Sequence, residues 1–418
     1  MKSKIIFKNT LLFFVMLWFT FLNFSGKAQE QSLIKKEILT GAQQYDIYLP
    51  LLKDKNVGIL TNQTGIVEVK KLVNFTPDVG CYKGTEIVQE SLVDLFIERN
   101  INLKKIYAPE HGFRGTADAG ELIKDGKDTK TGLPIISLYG KSKKPSKEQL
   151  AGIDVMVFDL QDVGVRFYTY ISSLHYLMEA CAENNIPVIV LDRPNPIGSY
   201  VDGPKLNMEH KSFVGMHPIP ILHGLTIGEY AQMINGEKWL SNGINCQLTV
   251  IPCANYNKNM FYSLPVKPSP NLPNDQSIKL YASLCLFEGT NVSVGRGTEK
   301  QFQIYGSPYM KKQNYTFTPL PNNGAKDPLH NGKKCYGEDL SSYTKENGLE
   351  LKWLINAYNS TDNKLSFFNS FFNNLAGGTI LRKQIEKGMS ETEIKLSWVN
   401  DIEEFKTVRK KYLIYNED

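Results

Sequence analysis

The chain has 418 residues, 42% of them hydrophobic and 22% charged, a length and balance that suit two globular domains and exclude a disordered or fibrous protein. Its formal charge of +5 is an effect of the first 28 residues, which hold Lys2, Lys4, Lys8 and Lys27 and no acid, so the remainder carries only +1. The other lysines are scattered and form no basic stripe with interleaved aromatics, so no nucleic-acid partner is expected.

The first predicted element is a signal peptide over residues 1–28: three early lysines, the apolar run "LLFFVMLWFTFLNF" and a small, polar end at "SGKAQE", with cleavage after Ala28. No other stretch approaches the roughly 20 apolar residues of a membrane-spanning helix. The mature protein is therefore expected to be exported, periplasmic or extracellular, with no stable membrane span.

From residue 29 to about 262 one grammar repeats, a short apolar run followed by a polar, glycine-bearing loop. The runs are "NVGILTNQTG" (56–65), "LKKIYAPEHGFRG" (103–115), "DVMVFDLQDVGVRFYTY" (154–170) and "PVIVLDRPNPIG" (187–198). Stretches such as "VMVF" and "VIVL" predict strands buried on both faces, as in a parallel sheet. Helices are predicted between them from Val88, Leu92, Leu95 and Phe96, from Ile171, Leu174, Met178 and Cys181, and at "TIGEYAQMING". In the last, Thr226 and Glu229 read as a capping box, which makes Glu229 a cap rather than a catalyst, and Gly236 ends the helix. Alternation of this kind predicts an open α/β sheet with right-handed crossovers, whose ligand crevice lies beyond the carboxyl ends of the strands. The four loops should then crowd one edge, bringing together Asn62, Glu110, His111, Arg114, Gln161, Asp162, Arg166, Tyr168, Arg193 and Asn195, a set suited to a polar, hydroxyl-rich ligand.

After residue 262 the grammar changes, and 263–418 reads as a second domain. "VKPSPNLPND" (266–275) is proline-punctuated coil, "LFEGTNVSVGRGTEKQF" (286–302) is a glycine-rich loop with Glu288, Asn291 and Arg296, and Lys311 to Ser341 reads as surface loop. Ser390 and Glu393 offer another capping box, followed by a core stripe of Ile394, Trp398, Ile402 and Phe405. Six cysteines, including Cys81, leave a disulfide open in an oxidising compartment, although Cys181 and Cys285 sit in patterns that favour buried thiols. Neither CxxC, HExxH nor a histidine pair at ligand spacing occurs, and GxGxxG is missing after the first strand, so neither a metal nor a dinucleotide cofactor is expected.

Carboxylate chemistry fits these residues best. Glycoside cleavage needs a proton donor at the leaving oxygen and usually a second carboxylate about 5 to 9.5 Å away. Glu110 is the candidate donor, in a loop fixed by Pro109 and Gly112, with His111 in support. Asp159, Asp162, Asp192 and Glu288 are candidates for the second carboxylate. Asp159 and Asp192 end apolar strands, where an aspartate often serves backbone amides, so Asp162 and Glu288 are preferred. Arg114, Arg166, Arg193 and Arg296 are forks able to hold a carboxylate bidentately, which suits an acidic sugar.

Taken in order, "GILTNQTG", "APEHGFRG", "DLQDVGVRFYTY", "LDRPNPIG", "HGLTIGEYA", "PSPNLP" and "EGTNVSVGRGT" resemble the NamZ-type exo-β-N-acetylmuramidases, a glycoside hydrolase family. The resemblance runs from about residue 45 to "RKKYLIY", with Ser199 standing where the family tends to carry a glycine. It implies a Rossmann-like α/β domain, a smaller α+β C-terminal domain and an active cleft between them. It also implies release of N-acetylmuramic acid from non-reducing ends of peptidoglycan fragments, with the catalytic glutamate at Glu110 and Asn271 of "PSPNLP" among the substrate-binding residues. The alternatives are an exported sugar-binding protein without catalysis and a peptidoglycan esterase or amidase; against the latter stands the missing nucleophile elbow.

Overall fold

Short aliphatic runs, too brief for buried helices, pair side by side into the main sheet. The computed structural model describes residues 36–75, 82–110, 112–113, 125–140, 142–344 and 348–417, so the expected signal peptide, Cys81, His111 and Arg114 lie outside the described residues. In chain order the strands are β1 (Val57–Thr61), β2 (Ile66–Phe75), β3 (Tyr82–Ser91), β4 (Leu103–Ala108), β5 (Gly126–Lys127), β6 (Pro134–Ser137), β7 (Val155–Asp159), β8 (Val188–Leu191) and β9 (Leu248–Ile251). Seven of them form one sheet in the order β5-β6-β4-β1-β7-β8-β9, parallel except for β5 against β6. All four strands expected from the sequence are present, and β6 and β9 extend the sheet at its flanks.

Both faces are buried, which is why these strands read as continuous apolar runs. Val57, Ile59, Val155, Val157, Ile189 and Leu191 face one core, with Leu95 and Phe96 of the helix Leu92–Glu98. Leu60, Met156, Phe158, Val188 and Val190 face the other, against Leu174 and Met178 of Tyr170–Glu183 and Tyr230 and Ile234 of Ile227–Gly236. From Leu39 onward the chain packs as one compact unit, and this second core continues into the C-terminal part through Leu284, Phe287, Phe372 and Phe405.

Two local expectations are corrected. Val88 is not helical: it belongs to β3, paired with Val69 of β2 in an antiparallel ribbon, and the helix starts only after Ser91, whose hydroxyl accepts from Val93 N. The ladder continues through Ser91 and takes Val88 before a helical turn can form. Likewise, Lys311–Ser341 is not all loop. It contains β11 (Tyr315–Phe317) and β12 (Cys335–Asp339), which with β10 (Ile304–Ser307) form an antiparallel sheet in the order β10-β12-β11. β11 and β12 are three and five residues long with mixed burial, too short for their alternation to stand out among Lys, Asn and Gly.

The C-terminal helices Glu391–Leu396 and Val399–Arg409 bury Ile394, Trp398, Ile402 and Phe405, and Ser390 and Glu393 make the expected capping box. Among the described residues no helix is long and apolar enough to cross a membrane.

Glu229 does cap its helix, and it does more. Its Oε2 accepts from Thr226 N at 2.9 Å and pairs with Lys258 Nζ at 2.5 Å, with both side chains fully buried. Its Oε1 accepts from Ile414 N at 2.9 Å and Tyr415 N at 3.3 Å, so one carboxylate straps the end of the chain to the sheet domain. Removing one member of such a pair strands a buried charge. Glu229→Gln is expected to lower unfolding free energy by about 3 kcal/mol, read as an earlier urea midpoint with an unchanged denaturant slope.

Candidate active site

The direction of the chain changes between β1 and β7: β4 and β6 are added on one side of β1, and β7, β8 and β9 on the other. A crevice opens at such a switch point, beyond the carboxyl ends of the strands. Glu110 stands there, two residues past the end of β4. Gly112 adopts a φ of 76°, which a residue without a Cβ takes without strain, and its amide closes a turn on Pro109 O at 3.0 Å.

The Glu110 carboxyl is held at both oxygens. Tyr139 OH donates to Oε1 at 2.9 Å, and Thr169 Oγ1 donates to Oε2 at 2.8 Å. All three side chains line a cleft of about 760 Å³, together with Tyr168, Glu288 and Arg296. The opposite wall and rim come from the C-terminal part, including Ser269, Tyr281, Phe302, Gly324 and Phe371.

Across the cleft, Arg296 Nε donates to Glu288 Oε1 at 2.6 Å, and the guanidinium sits 5.1 Å from the Phe302 ring centroid. Burial pulls the Arg296 value down, but the Glu288 carboxylate more than offsets it, leaving a firmly charged guanidinium. Both side chains keep about a quarter of their surface, at 22% and 26% exposed, so the pair remains open to a ligand. The Cys285 thiol, pushed up by burial and then by Glu288, donates to Glu288 Oε2 at 3.5 Å. Tyr168 lines the same cleft with its hydroxyl on Pro268 O at 2.8 Å. Among the described residues no group of three His, Cys, Asp or Glu side chains is arranged to hold a metal ion.

Several expected site residues are instead consumed beneath the cleft. Arg193 does hold a carboxylate bidentately, but that of Asp159, at 2.6 and 3.0 Å, with its remaining reach on Ile66 O. Arg166 is fully buried and donates to Pro204 O, Ile219 O and Leu375 O, tying three segments together; burial lowers its value to about 9. Asn62 donates to Tyr170 OH and accepts from Thr64. Gln161 bridges Asp162 O and Pro194 O, and Asn195 links Leu225 O to Ile197 N.

Asp162 is not at the cleft surface either. It is 5% exposed and accepts from Gly164 N at 2.6 Å, so the second-carboxylate expectation stands on Glu288 alone. Asn271 lies behind the wall, donating to Gly324 O, and Asn291 is bound through its backbone to Phe367 and His330. Asp192 serves the amides of Arg193 and Gly228 and the hydroxyls of Thr226 and Tyr415. For Asn62, Gln161, Asp162, Asp192, Arg193 and Asn195 the physical reason is close packing: a loop that turns directly off a fully buried strand must satisfy its own backbone there, and polar side chains are spent on that. The polar atoms of the Asn291 side chain, by contrast, are buried without a hydrogen-bond partner.

Tyr139 and Thr169 are absent from the set of site residues expected from the sequence. Tyr139 comes after β6, whose four residues are too few to stand out as a strand, and Thr169 hides in "RFYTY" as the residue before a helix. A threonine at that position is the one available signal.

Comparison with known proteins finds the same likeness over most of the chain. Residues 57–276 match the family model described as exo-beta-N-acetylmuramidase NamZ, N-terminal, and residues 279–415 its C-terminal counterpart. The chain is 37% identical over 425 residues to the peptidoglycan beta-N-acetylmuramidase NamZ of Bacillus subtilis (strain 168), covering 94% of each. It is similar to two crystal structures of DUF1343 family proteins from Bacteroides fragilis NCTC 9343. One has a TM-score of 0.81 at 45% identity, over 92% of this chain and 100% of that one. The other has a TM-score of 0.71 at 28% identity, over 91% and 99%.

Burial raises the Asp162 carboxyl to about 7, against the partial pull of the Gly164 and Val163 amides. A carboxyl raised in the folded state contributes stability that is full below its unfolded value and lost as pH rises through about 7. Relative to Asp162→Asn, the wild-type chain should therefore lose about 1.4 kcal/mol between pH 6 and pH 8, measured as the difference in urea midpoints of the two proteins at each pH.

Proposed function

Because the chain belongs to the NamZ exo-β-N-acetylmuramidase family, we propose that it is a glycosidase that releases N-acetylmuramic acid from the non-reducing ends of peptidoglycan fragments, with Glu110 as the proton donor. The observation that carries the role is the Glu110 carboxyl, fixed by two hydroxyls on the wall of a cleft that also presents Glu288 and Arg296. Glycosidic oxygens are poor leaving groups until protonated, and a positioned carboxylic acid supplies that proton. Glu288 serves as the second carboxylate of the cleft. Arg296, charged and partly open, suits the lactyl carboxylate that distinguishes muramic acid from glucosamine. The aromatic lining of Tyr168, Tyr281, Phe302 and Phe371 offers faces for the apolar sides of sugar rings.

Export fits this reading, since peptidoglycan lies outside the cytoplasmic membrane and the chain opens with a lysine-flanked apolar run. In that setting the enzyme works in cell-wall turnover and recycling, on muramyl saccharides already freed from the polymer or at its exposed ends.

The protein from residue 29 onward is expected to release 4-nitrophenol from 4-nitrophenyl β-N-acetylmuramide and not from the matching glucosaminide. Glu110→Gln, with its thermal midpoint preserved, should lose about 10²- to 10⁴-fold in kcat on a muramyl-glucosamine disaccharide. Calorimetric binding of the muramide without any turnover would instead make this an exported sugar-binding protein and return Glu110 to a structural role.

A further inference from the structure

The residue before the helix Tyr170–Glu183 leaves its hydroxyl free of the helix, as Thr379 also does before Ile380–Glu386. At the helix starts at Leu92, Lys147, Ile227 and Glu391, the preceding Ser91, Ser146, Thr226 and Ser390 turn their hydroxyls inward and accept from a first-turn amide. Thr169 does not: it has helical φ and ψ of −76° and −5° and makes no side-chain cap. Its hydroxyl donates outward to Glu110 Oε2 at 2.8 Å instead. A cap of this kind is ordinarily stabilising, and the hydroxyl that is not spent on one here is committed to Glu110 instead.

The second hydroxyl is placed by the sheet. Ala108 of β4 pairs with Ser137 of β6, and Glu110 and Tyr139 each stand two residues further on, so the same register sets them side by side. The Tyr139 ring is fixed from behind by Phe213, at 6.1 Å between centroids, and Phe213 is stacked on Tyr176 at 6.2 Å. Burial, with the Glu110 carboxylate second, pushes the Tyr139 phenol well up, so it stays a protonated donor at neutral pH.

We propose that Tyr139 and Thr169 form a hydroxyl clamp that positions Glu110 and stabilises the carboxylate it becomes as it donates its proton. The inference rests on Glu110 being the general acid. In that step the Glu110 O–H proton passes to the glycosidic oxygen while the bond from that oxygen to the anomeric carbon breaks. The bonding pair stays with the oxygen, the leaving sugar departs as a neutral alcohol, and Glu110 is left negative. The electron-deficient anomeric carbon ends bonded to the oxygen of a water, whose surplus proton is lost to a carboxylate of the cleft. Donors already aimed at both of its oxygens strengthen as that charge develops and need no reorganisation. The N-terminal end of the helix Tyr170–Glu183 adds partial positive charge on the same side. Both hydroxyls contact only the Glu110 carboxyl and act through it, so both are positioning residues.

A clamp that assists proton donation matters only where the leaving group needs a proton. The test compares kcat on a muramyl-β-1,4-glucosamine disaccharide, whose leaving alkoxide is a strong base, with kcat on 4-nitrophenyl β-N-acetylmuramide, whose phenolate leaves unaided. Tyr139→Phe and Thr169→Val should each lose about 10- to 100-fold on the disaccharide and less than about 5-fold on the aryl glycoside. Thr169→Ser should recover most of the disaccharide activity, and Thr169→Val should keep the wild-type thermal midpoint because no cap is lost. Equal losses on both substrates, or no loss on either, would overturn the clamp. Glu110→Gln in parallel separates the two readings: undiminished disaccharide turnover there removes the general acid itself, whereas a disaccharide-selective loss in Glu110→Gln alone leaves the acid standing and removes only the clamp.

Discussion

Everything at the cleft depends on the parallel ladder of β6, β4, β1 and β7. Because β4 pairs with β6 at Ala108 and Ser137 and with β1 at Tyr107 and Leu60, the ends of these strands are level, and the loop leaving each strand is delivered to one edge. A slip of one residue would turn side chains to the opposite face of the sheet and separate Glu110 from Tyr139. The ladder resists such a slip because both of its faces are filled: Ile59 and Val157 on one, Leu60 and Phe158 on the other. Core packing thus sets the geometry of a polar site to which Glu110, Thr169 and Arg296 bring no core side chain.

The second theme is how charge is distributed. Three candidate arginines with similar sequence surroundings end in different situations. Arg193 is paired with Asp159 inside the sheet domain, Arg166 is buried among carbonyl oxygens, and Arg296 remains partly open on the cleft wall. Burial of a guanidinium is costly unless its donors are met. Arg193 is met by Asp159 and Ile66 O, and Arg166 by three carbonyls at its two terminal nitrogens, with Nε alone left without a partner. Of these three, Arg296 alone keeps the combination of full charge and access that a carboxylate ligand needs.

Histidine follows the same pattern. His217 bridges Tyr230 OH at 2.8 Å and His175 Nδ1 at 2.9 Å, and His175 Nε2 lies 3.6 Å from Glu179. Burial lowers His175 to about 4, His223 to about 3 and His217 well below the usual histidine value, so these rings are neutral hydrogen-bonding groups rather than proton donors. His223 Nε2 in turn lies 3.9 Å from the buried Asp162 carboxyl.

Much is legible in the sequence alone. "VMVF" and "VIVL" state buried parallel strands, Thr226 and Glu229 state a helix start, and "PEHGFRG" after "KKIYA" states a polar loop at a strand end, because each of these signals is local: burial on both faces, a capping geometry, a turn. The family likeness lies in the same loop motifs. What the sequence does not carry is which polar side chain of a loop turns outward. Asn62, Gln161, Arg166, Arg193 and Asn195 all sit in the expected loops, yet each has a partner between 30 residues away, as with Asn195 and Leu225, and 209, as with Arg166 and Leu375. Tyr139 and Thr169 are the converse, ordinary in sequence and placed against Glu110 only by strand register and helix direction. Strand and helix identity come from neighbours along the chain, whereas the choice between satisfying the backbone and facing the cleft comes from neighbours in space, and only the tertiary structure supplies those.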